Sequence, residues 1–178
     1  MSITYRTVRG TAGGDDMMDF RHGGRWWVVA AMATTLMACS AAPSADPAAI
    51  VDEVRADVRA TVEAFNARDA ERGVRSNAPD FIQMFHGQPN TDNIANLANT
   101  RAQLADPAVK LRINDEKVDV SEAGDMVLYS NRYVYDFTDP DSGDVVTETG
   151  NWVLVYKRQP DGTLRIYREI ISDLPAES

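Results

Sequence analysis

Two neighbouring predicted strands carry most of the side chains in this sequence that could contact a small molecule. Residues Met126 to Phe137 read as a strand, and alternation places Tyr129, Asn131 and Tyr133 on a single face of it. Trp152 belongs to the same inner face on the next predicted strand. Phenol, amide and indole groups among apolar residues are typical of ligand pockets. The alternative is that these rings fill a core with their polar ends satisfied.

Three further residues have chemistry that a pocket could use. His86 is the only histidine after residue 38 and could act as a base or a polar ligand contact, or it is an exposed turn histidine before Gly87. Arg168 lies on an otherwise apolar strand face and could bind a carboxylate, or it forms a structural ion pair with Glu148, Asp136 or Glu169. Met84, beside His86, is counted with the pocket candidates.

Several classes of site are excluded by what the sequence does not contain. One histidine and no cysteine between residues 48 and 174 cannot make a zinc shell. The sequence has no glycine-rich phosphate loop and no Gly-x-Ser-x-Gly nucleophile motif. We therefore expect no metal and no cofactor.

The elements that would position these residues are helices first and strands afterwards, which indicates an α+β fold. Asp46 and Pro47 are typical of a helix N-terminus, and apolar residues recur at helical spacing from Ile50 to Phe65. A short second helix is predicted from Ala70 to about Arg75, with a break at Asn77-Ala78-Pro79 after it. A third helix is capped by Thr91 and carries Ile94, Leu97, Ala98, Arg101 and Leu104 on one stripe. The predicted strands are 81–85, 109–120, 126–137, 145–157 and 164–171, with turns at Gly124, Gly143 and Gly162.

This order of elements and a set of short motifs resemble the nuclear-transport-factor-2-like superfamily, in its SnoaL-like and ketosteroid-isomerase-like bacterial branch. Each motif is short, but their joint order along residues 48–173 resembles that of the superfamily. The matching stretches are Phe65-Asn66-Ala67-Arg68-Asp69, Gly124-Asp125-Met126-Val127, Gly150-Asn151-Trp152, Lys157-Arg158-Gln159-Pro160-Asp161-Gly162, Leu164-Arg165-Ile166 and Ser172-Asp173. Leu164 departs from the tryptophan usual near the start of the last strand.

The resemblance implies a cone-shaped, curved antiparallel sheet wrapped around a long N-terminal helix, with three helices and a pocket between sheet and helices. Together with strand alternation, it implies a pocket lined by Met84, His86, Tyr129, Asn131, Tyr133, Trp152 and Arg168. On the last strand, Leu164, Ile166, Arg168 and Ile170 are expected to share a face. The isomerase chemistry itself does not transfer: Thr61 falls near the position of the oxyanion tyrosine, and Phe85 or His86 near that of the base aspartate.

The N-terminal region has the layout of a signal peptide that ends at Cys39, the only cysteine of the chain. Arg21 and Arg25 precede an apolar run from Trp26 to Ala38, whose 13 residues are fewer than the ~20 that a bilayer-spanning helix needs. Its Leu-Met-Ala-Cys ending resembles the lipobox of bacterial lipoproteins, in which the cysteine becomes a lipidated N-terminus. Ordinary secretion with cleavage near Ala42 or Ala45, and a buried cysteine in a core helix, are the alternatives.

We therefore expect a signal peptide at 1–38, a lipidated cysteine and flexible tether at 39–47, and one SnoaL-like domain at 48–174. Residues 1–16 fit no signal pattern, and Met17 or Met18 would be a more ordinary start. Loss of residues 1–38 removes four basic and three acidic residues, which takes the net charge from −9 to −10. A chain so acidic is not drawn to nucleic acid.

The predicted function is that of a membrane-anchored domain that binds a small, partly apolar molecule, with no specific catalysis assigned. One alternative is a cofactor-independent isomerase, dehydratase or cyclase. Another is a non-catalytic dimeric scaffold that uses the outer face of the sheet for a homodimer. The expected location is the cell envelope, at the outer membrane facing the periplasm where two membranes exist.

Lipidation of Cys39 can be tested by fractionation. Because acyl chains on this residue would be the only anchor, Cys39→Ala should move the protein from the membrane to the soluble fraction. Immunoblots of the two fractions measure the shift. Retention of the variant in the membrane, with the signal region intact, would contradict the anchor.

Overall fold

The computed structural model describes residues 46–174. The predicted signal peptide, Cys39 and residues 39–45 of the predicted tether lie outside that range. The elements are α1 (Pro47–Asn66), α2 (Ala70–Gly73), β1 (Asn77–Phe85), α3 (Asn93–Leu104), β2 (Lys110–Val120), β3 (Met126–Thr138), β4 (Val145–Arg158) and β5 (Leu164–Asp173). None of the helices among these residues is both long and apolar enough to cross a membrane.

The first helix begins where the sequence predicts. The Asp46 carboxylate accepts a hydrogen bond from the backbone N–H of Ala48 at 3.0 Å, and Pro47 occupies the first turn. Ile50, Val54 and Val58 are buried on one side of the helix. Their burial fixes α1 against the inner face of the sheet, in one core cluster with Tyr129 and other residues of the strands.

The five strands form one sheet in the order β1-β5-β4-β3-β2, in which β1 pairs with β5 in parallel and all other pairs are antiparallel. The predicted α+β class is confirmed, with a curved sheet around the long helix. The predicted inner faces of β3 and β4 are also confirmed. Their buried residues are Val127, Tyr129, Asn131 and Tyr133 on β3, and Gly150, Trp152, Leu154 and Tyr156 on β4.

The predicted alternation of the last strand is wrong because β5 contains a bulge. Tyr156 pairs with Ile166 and Val155 pairs with Arg168, so Tyr167 is the extra residue between the two pairs. Every later side chain of β5 is therefore on the opposite face from the one that simple alternation assigns. Glu169 pairs with the buried Leu154 and shares its inward face, whereas Arg168 faces outward.

The predicted buried stripe of α3 is also wrong in part. Asp92, not Thr91, is the N-cap, since its carboxylate accepts from the N–H groups of Ile94 and Ala95 at 3.0 and 2.9 Å. Ile94 is 82% exposed. Of the predicted stripe, Leu104 is buried and Leu97 packs against the same small core cluster, but the other buried residues of the helix are Asn96 and Thr100. The helix turns a partly polar side inward, which apolar periodicity cannot indicate.

Two boundaries differ as well. The first strand begins at Asn77, although Asn77-Ala78-Pro79 was expected to be a break before a strand at Phe81. Its pairing with β5 is irregular between Asn77 and Ile82, which is how a strand accommodates Pro79. The second helix ends at Gly73 rather than near Arg75.

Trp152→Ala should destabilise the fold by about 3–5 kcal/mol, because the ring is only 6% exposed and packs in the main core. Chemical denaturation of both proteins measures the difference in the free energy of unfolding. Ile94→Ala is the matched control, since it removes an exposed apolar side chain and should change stability by less than about 0.5 kcal/mol. Equal small effects of both variants would contradict the burial of Trp152.

Candidate functional site

A cavity of about 730 Å³ lies between the inner face of the sheet and the helices. Its walls are mostly apolar and rich in aromatic rings, while side chains of α3 add amide and hydroxyl groups. A space of this size is within the usual range for small-molecule sites. The aromatic lining residues are Phe65, Phe85, Tyr133, Tyr135, Phe137 and Trp152, and the polar ones on α3 are Asn96, Asn99, Thr100 and Gln103.

Tyr133 is held at the cavity wall by the absence of a side chain on the neighbouring strand. It pairs with Gly150, and a Cβ atom at Gly150 would lie 2.5 Å from the Tyr133 hydroxyl oxygen. Any larger residue at position 150 would therefore displace the phenol ring. Glycine here serves close packing, since the ring of Tyr133 lies directly over its backbone.

The Tyr133 hydroxyl contacts two carboxyl groups at once. It lies 2.6 Å from Glu148 Oε1 and 2.5 Å from Asp173 Oδ1. A phenol has one proton, so it donates to one carboxylate only, and the second short contact requires a proton on a carboxyl group. Burial, followed by the two carboxyl neighbours, raises the pKa of Tyr133, which keeps the phenol neutral.

The surroundings of Glu148 favour its protonated form. Burial raises the pKa of Glu148, and the negative charge of Asp173 acts in the same direction, against the hydrogen bond from Tyr133. Glu148 lines the cavity, so this carboxyl group is accessible to a bound molecule. The arrangement places a carboxyl group with a raised pKa within a largely apolar space.

His86 extends this group to the surface. Its Nε2 lies 2.5 Å from Asp173 Oδ2, and its side chain is 59% exposed. The imidazole does not line the cavity, but it contacts the carboxylate that contacts Tyr133. The hydrogen-bonded chain therefore runs from His86 through Asp173 and Tyr133 to Glu148; these four residues are called the relay below.

A second carboxyl group, Glu169, lines the cavity on β5. Its Oε1 accepts from the Trp152 indole N–H at 2.7 Å, and its Oε2 accepts from the Gln83 amide at 2.9 Å. Thr91 in turn donates to Gln83 Oε1 at 3.1 Å, which orients that amide. Burial raises the pKa of Glu169, while the two donated hydrogen bonds favour its carboxylate form.

The structure brings together only some of the predicted pocket residues. Tyr133 and Trp152 line the cavity. Tyr129 and Asn131 are buried beside it but do not line it, and the Tyr129 hydroxyl donates to Glu116 at 2.7 Å. Met84 pairs with the 38%-exposed Ile170 on the outer face of the sheet.

Arg168, predicted to face the pocket or to form an ion pair, does neither. Its guanidinium donates to the backbone carbonyls of Asp80 and Tyr167 and stacks 3.5 Å above the Tyr167 ring centre. The bulge at Tyr167 places it on the outer face. None of Glu148, Asp136 and Glu169 is its partner, because each is engaged elsewhere.

Sequence reasoning missed Glu148, Glu169 and Asp173 as site residues. Glu148 was within reach, since it is two residues before Gly150 and so shares the inner face of β4. Glu169 and Asp173 were not, because only the bulge turns them inward. Among residues 46–174, no group of three or more His, Cys, Asp or Glu side chains is arranged to hold a metal ion.

Comparison with solved structures identifies the fold. A nuclear-transport-factor-2-like superfamily protein from Salmonella enterica superposes with a TM-score of 0.63 at 14% identity, covering 75% of this chain and 96% of that one. A candidate dehydratase of the same family from Streptomyces avermitilis gives 0.61 at 19% identity, covering 74% and 100%. A ketosteroid isomerase-like protein from Erwinia carotovora gives 0.54 at 18% identity, covering 68% and 93%.

The fold is therefore that of the nuclear-transport-factor-2-like proteins, as the sequence motifs predicted. The sequence itself matches no protein-family model and no curated protein. At such low identities the likeness establishes the fold alone, because one fold of this kind serves many functions. Function has to be argued from the cavity.

The buried carboxyl of Glu169 makes a prediction about stability and pH. A carboxyl group with a raised pKa in the folded state binds its proton longer than the unfolded chain does, so its contribution to stability is full below the ordinary pKa of 4.5 and is lost as pH rises. Glu169→Gln cannot ionise. The variant should therefore gain stability relative to wild type with rising pH, by on the order of 1 kcal/mol for each unit of raised pKa.

Urea denaturation of both proteins at a series of pH values measures this difference. Below the ordinary glutamate pKa the two curves should run parallel, since Glu169 is then protonated in both states. A difference in unfolding free energy that stays constant from acid to neutral pH would show that Glu169 is not perturbed.

Proposed function

We propose that this chain binds a small, partly apolar molecule in the cavity. The single observation that carries the proposal is the cavity itself: about 730 Å³ with aromatic walls and a few fixed polar groups. The side chains that a filled core would need there are absent, although α1 and the inner strands around it are closely packed. Small-molecule binding also agrees with the chemistry that names the isomerase-like and dehydratase-like neighbours of this fold.

The relay favours a second candidate function, a cofactor-independent acid–base enzyme of the isomerase, dehydratase or cyclase type. Glu148, whose pKa is raised by burial on the cavity wall, would in its protonated form donate to a substrate oxygen. The proton would be restored through Tyr133, Asp173 and the exposed His86. Glu169, whose two oxygens accept hydrogen bonds, would be the base.

The specific ketosteroid arrangement is not part of this proposal. The positions that the resemblance assigns to its oxyanion tyrosine and its base aspartate are occupied near Thr61 and Phe85, and both side chains line the cavity. Phe85 has no group that can accept a proton, and Thr61 offers an alcohol, which is a weaker acid than the phenol of a tyrosine. His86, the other residue near the base position, does not line the cavity. Any catalysis here would use Glu148 and Glu169 instead.

We also propose that the domain is held at a bacterial membrane by a lipid on Cys39, within the cell envelope. The outer face of the sheet is the proposed homodimer surface, because three of its large apolar residues are exposed: Met126 by 40%, Leu128 by 43% and Ile170 by 38%. A dimer of this kind leaves the cavity on the opposite side of the sheet free for its ligand.

Blocking the cavity should abolish ligand binding. Ala95 lines the cavity on α3, whereas Ala98 on the same helix is exposed and does not line it. Compounds from a broad apolar library should raise the melting temperature of wild type, since a ligand that binds only the native state stabilises it. Ala95→Phe should lose that shift, and Ala98→Phe should keep it.

Three possible results decide whether the ligand binds in the cavity. Loss of the shift in Ala95→Phe alone supports binding in the cavity. Equal shifts in all three proteins place the ligand elsewhere and contradict the proposal. No shift of wild type by any compound contradicts it as well, and then favours the scaffold alternative.

The catalytic candidate has its own test. Compounds that raise the melting temperature are assayed for conversion by wild type. For a compound that is converted, Glu148→Gln should lower kcat by about 10²–10⁴ because the amide cannot deliver the proton. The melting-temperature shift by the same compound should persist, since the side chain keeps its size. If both binding and turnover are lost, Glu148 has a positioning role. If turnover is unchanged, Glu148 takes no part in the mechanism.

A further inference from the structure

The ionisable side chains with acid or base groups near neutral pH that line the cavity are all carboxylic acids in the part of the chain that the structure describes. Glu148 and Glu169 line the cavity, and no Lys, Arg or His side chain does so in the part of the chain that the structure describes. An anionic ligand would have to be desolvated beside two carboxyl groups without a counter-charge, which is costly in a low dielectric. Carboxylates, phosphates and sulfates are therefore poor ligands for this space.

Three basic side chains from segments that border the cavity are engaged outside it. Arg68 donates to the backbone carbonyls of Val109 and Pro107 at 2.7 and 2.6 Å. Arg168 stacks on Tyr167 on the outer face, and His86 bonds to Asp173. None of the three is placed to neutralise Glu169.

Glu169 retains the capacity to accept further hydrogen bonds. Each carboxylate oxygen has two lone pairs, and one donor occupies one of them on each oxygen: Trp152 on Oε1 and Gln83 on Oε2. The second position on each oxygen is available where Glu169 lines the cavity. A donor group of a ligand, and best a charged one, would complete this set.

The aromatic walls act in the same direction. Trp152 lines the cavity beside Glu169, and five further rings line the rest of it. Aromatic faces attract organic cations through their quadrupole and accept an apolar body equally well. A carboxylate next to aromatic walls is a combination that suits an amine with a hydrophobic body.

We propose that the ligand of this cavity is an apolar organic cation, an alkylammonium or arylalkylammonium compound whose ammonium group donates to Glu169 while its apolar part lies among the aromatic rings. This inference rests on the proposed function, because it names the class of ligand for that same cavity. It predicts a preference for cations over neutral molecules, and for neutral molecules over anions of the same shape.

Three probes of matched shape test the preference: 4-phenylbutylamine, 4-phenylbutanol and 4-phenylbutanoate, measured by isothermal titration calorimetry at about pH 8, where the amine is still charged. The amine should bind wild type about tenfold more tightly than the alcohol, and the carboxylate should bind more weakly than the alcohol. An alcohol or carboxylate that binds as tightly as the amine would overturn the inference.

Two variants separate contact with Glu169 from the general attraction of an acidic protein. Glu169→Gln and Glu116→Gln remove the same charge, but Glu116 bonds to Tyr129 and does not line the cavity. The amine's advantage over the alcohol should fall to about twofold or less in Glu169→Gln and stay near tenfold in Glu116→Gln. An advantage kept in Glu169→Gln, or lost equally in both variants, would overturn the assignment.

Failure of this inference can be told from failure of the proposed function. If none of the three probes binds but other library compounds raise the melting temperature of wild type and not of Ala95→Phe, the cavity binds ligands and the cation preference is wrong. If no compound of any charge does so, the cavity is not a binding site and both proposals fall.

Discussion

The bulge at Tyr167 is the constraint on which the site depends. By inserting one residue between the pairs Tyr156–Ile166 and Val155–Arg168, it reverses the facing of everything that follows on β5. Without it, Arg168 and Ile170 would face the helices, and Glu169 and Asp173 would face outward. The same sequence would then enclose a cavity with a cationic wall instead of a cavity with two carboxyl groups.

The inward carboxyl groups are tolerated because each has been given partners. Asp173 contacts both Tyr133 and His86, and Glu169 accepts from Trp152 and Gln83. A buried carboxyl without partners would cost several kcal/mol, which is a large part of the stability of a small domain. The hydrogen bonds to these carboxyl groups therefore offset part of the cost of turning them inward.

The sequence was sufficient to predict the regular strands and helices. It was insufficient where a strand departs from its two-residue alternation or where the buried face of a helix is polar. On β3 and β4 the alternation is unbroken, so Tyr133 and Trp152 were placed correctly on the inner face. On β5 the run Ile166-Tyr167-Arg168-Glu169-Ile170 does not alternate apolar and polar residues, so a period of two could not be relied on to assign its faces. The error at Arg168 follows directly.

The misread face of α3 has a related cause. Periodicity of apolar residues locates a helix face only when that face packs against an apolar core. Asn96 and Thr100 are buried although they are polar, because Asn96 accepts from Asn77 at 3.2 Å and Thr100 donates to the carbonyl of Asn96 at 2.9 Å. The inward side of a helix that borders a cavity with polar groups therefore cannot be located from the spacing of its apolar residues.

The bulge in β5 also explains why the fold could be predicted from the sequence more completely than the site. A fold is specified by many small preferences that agree. Short motifs therefore led to the right architecture, although the solved structures with this fold share only 14–19% identity with the chain. A site is specified by a few residues, and one inserted residue on β5 exchanges a cation for an anion on its wall. Resemblance therefore predicts the shape of this cavity, and only the register of β5 predicts its charge, the property by which a ligand would be selected.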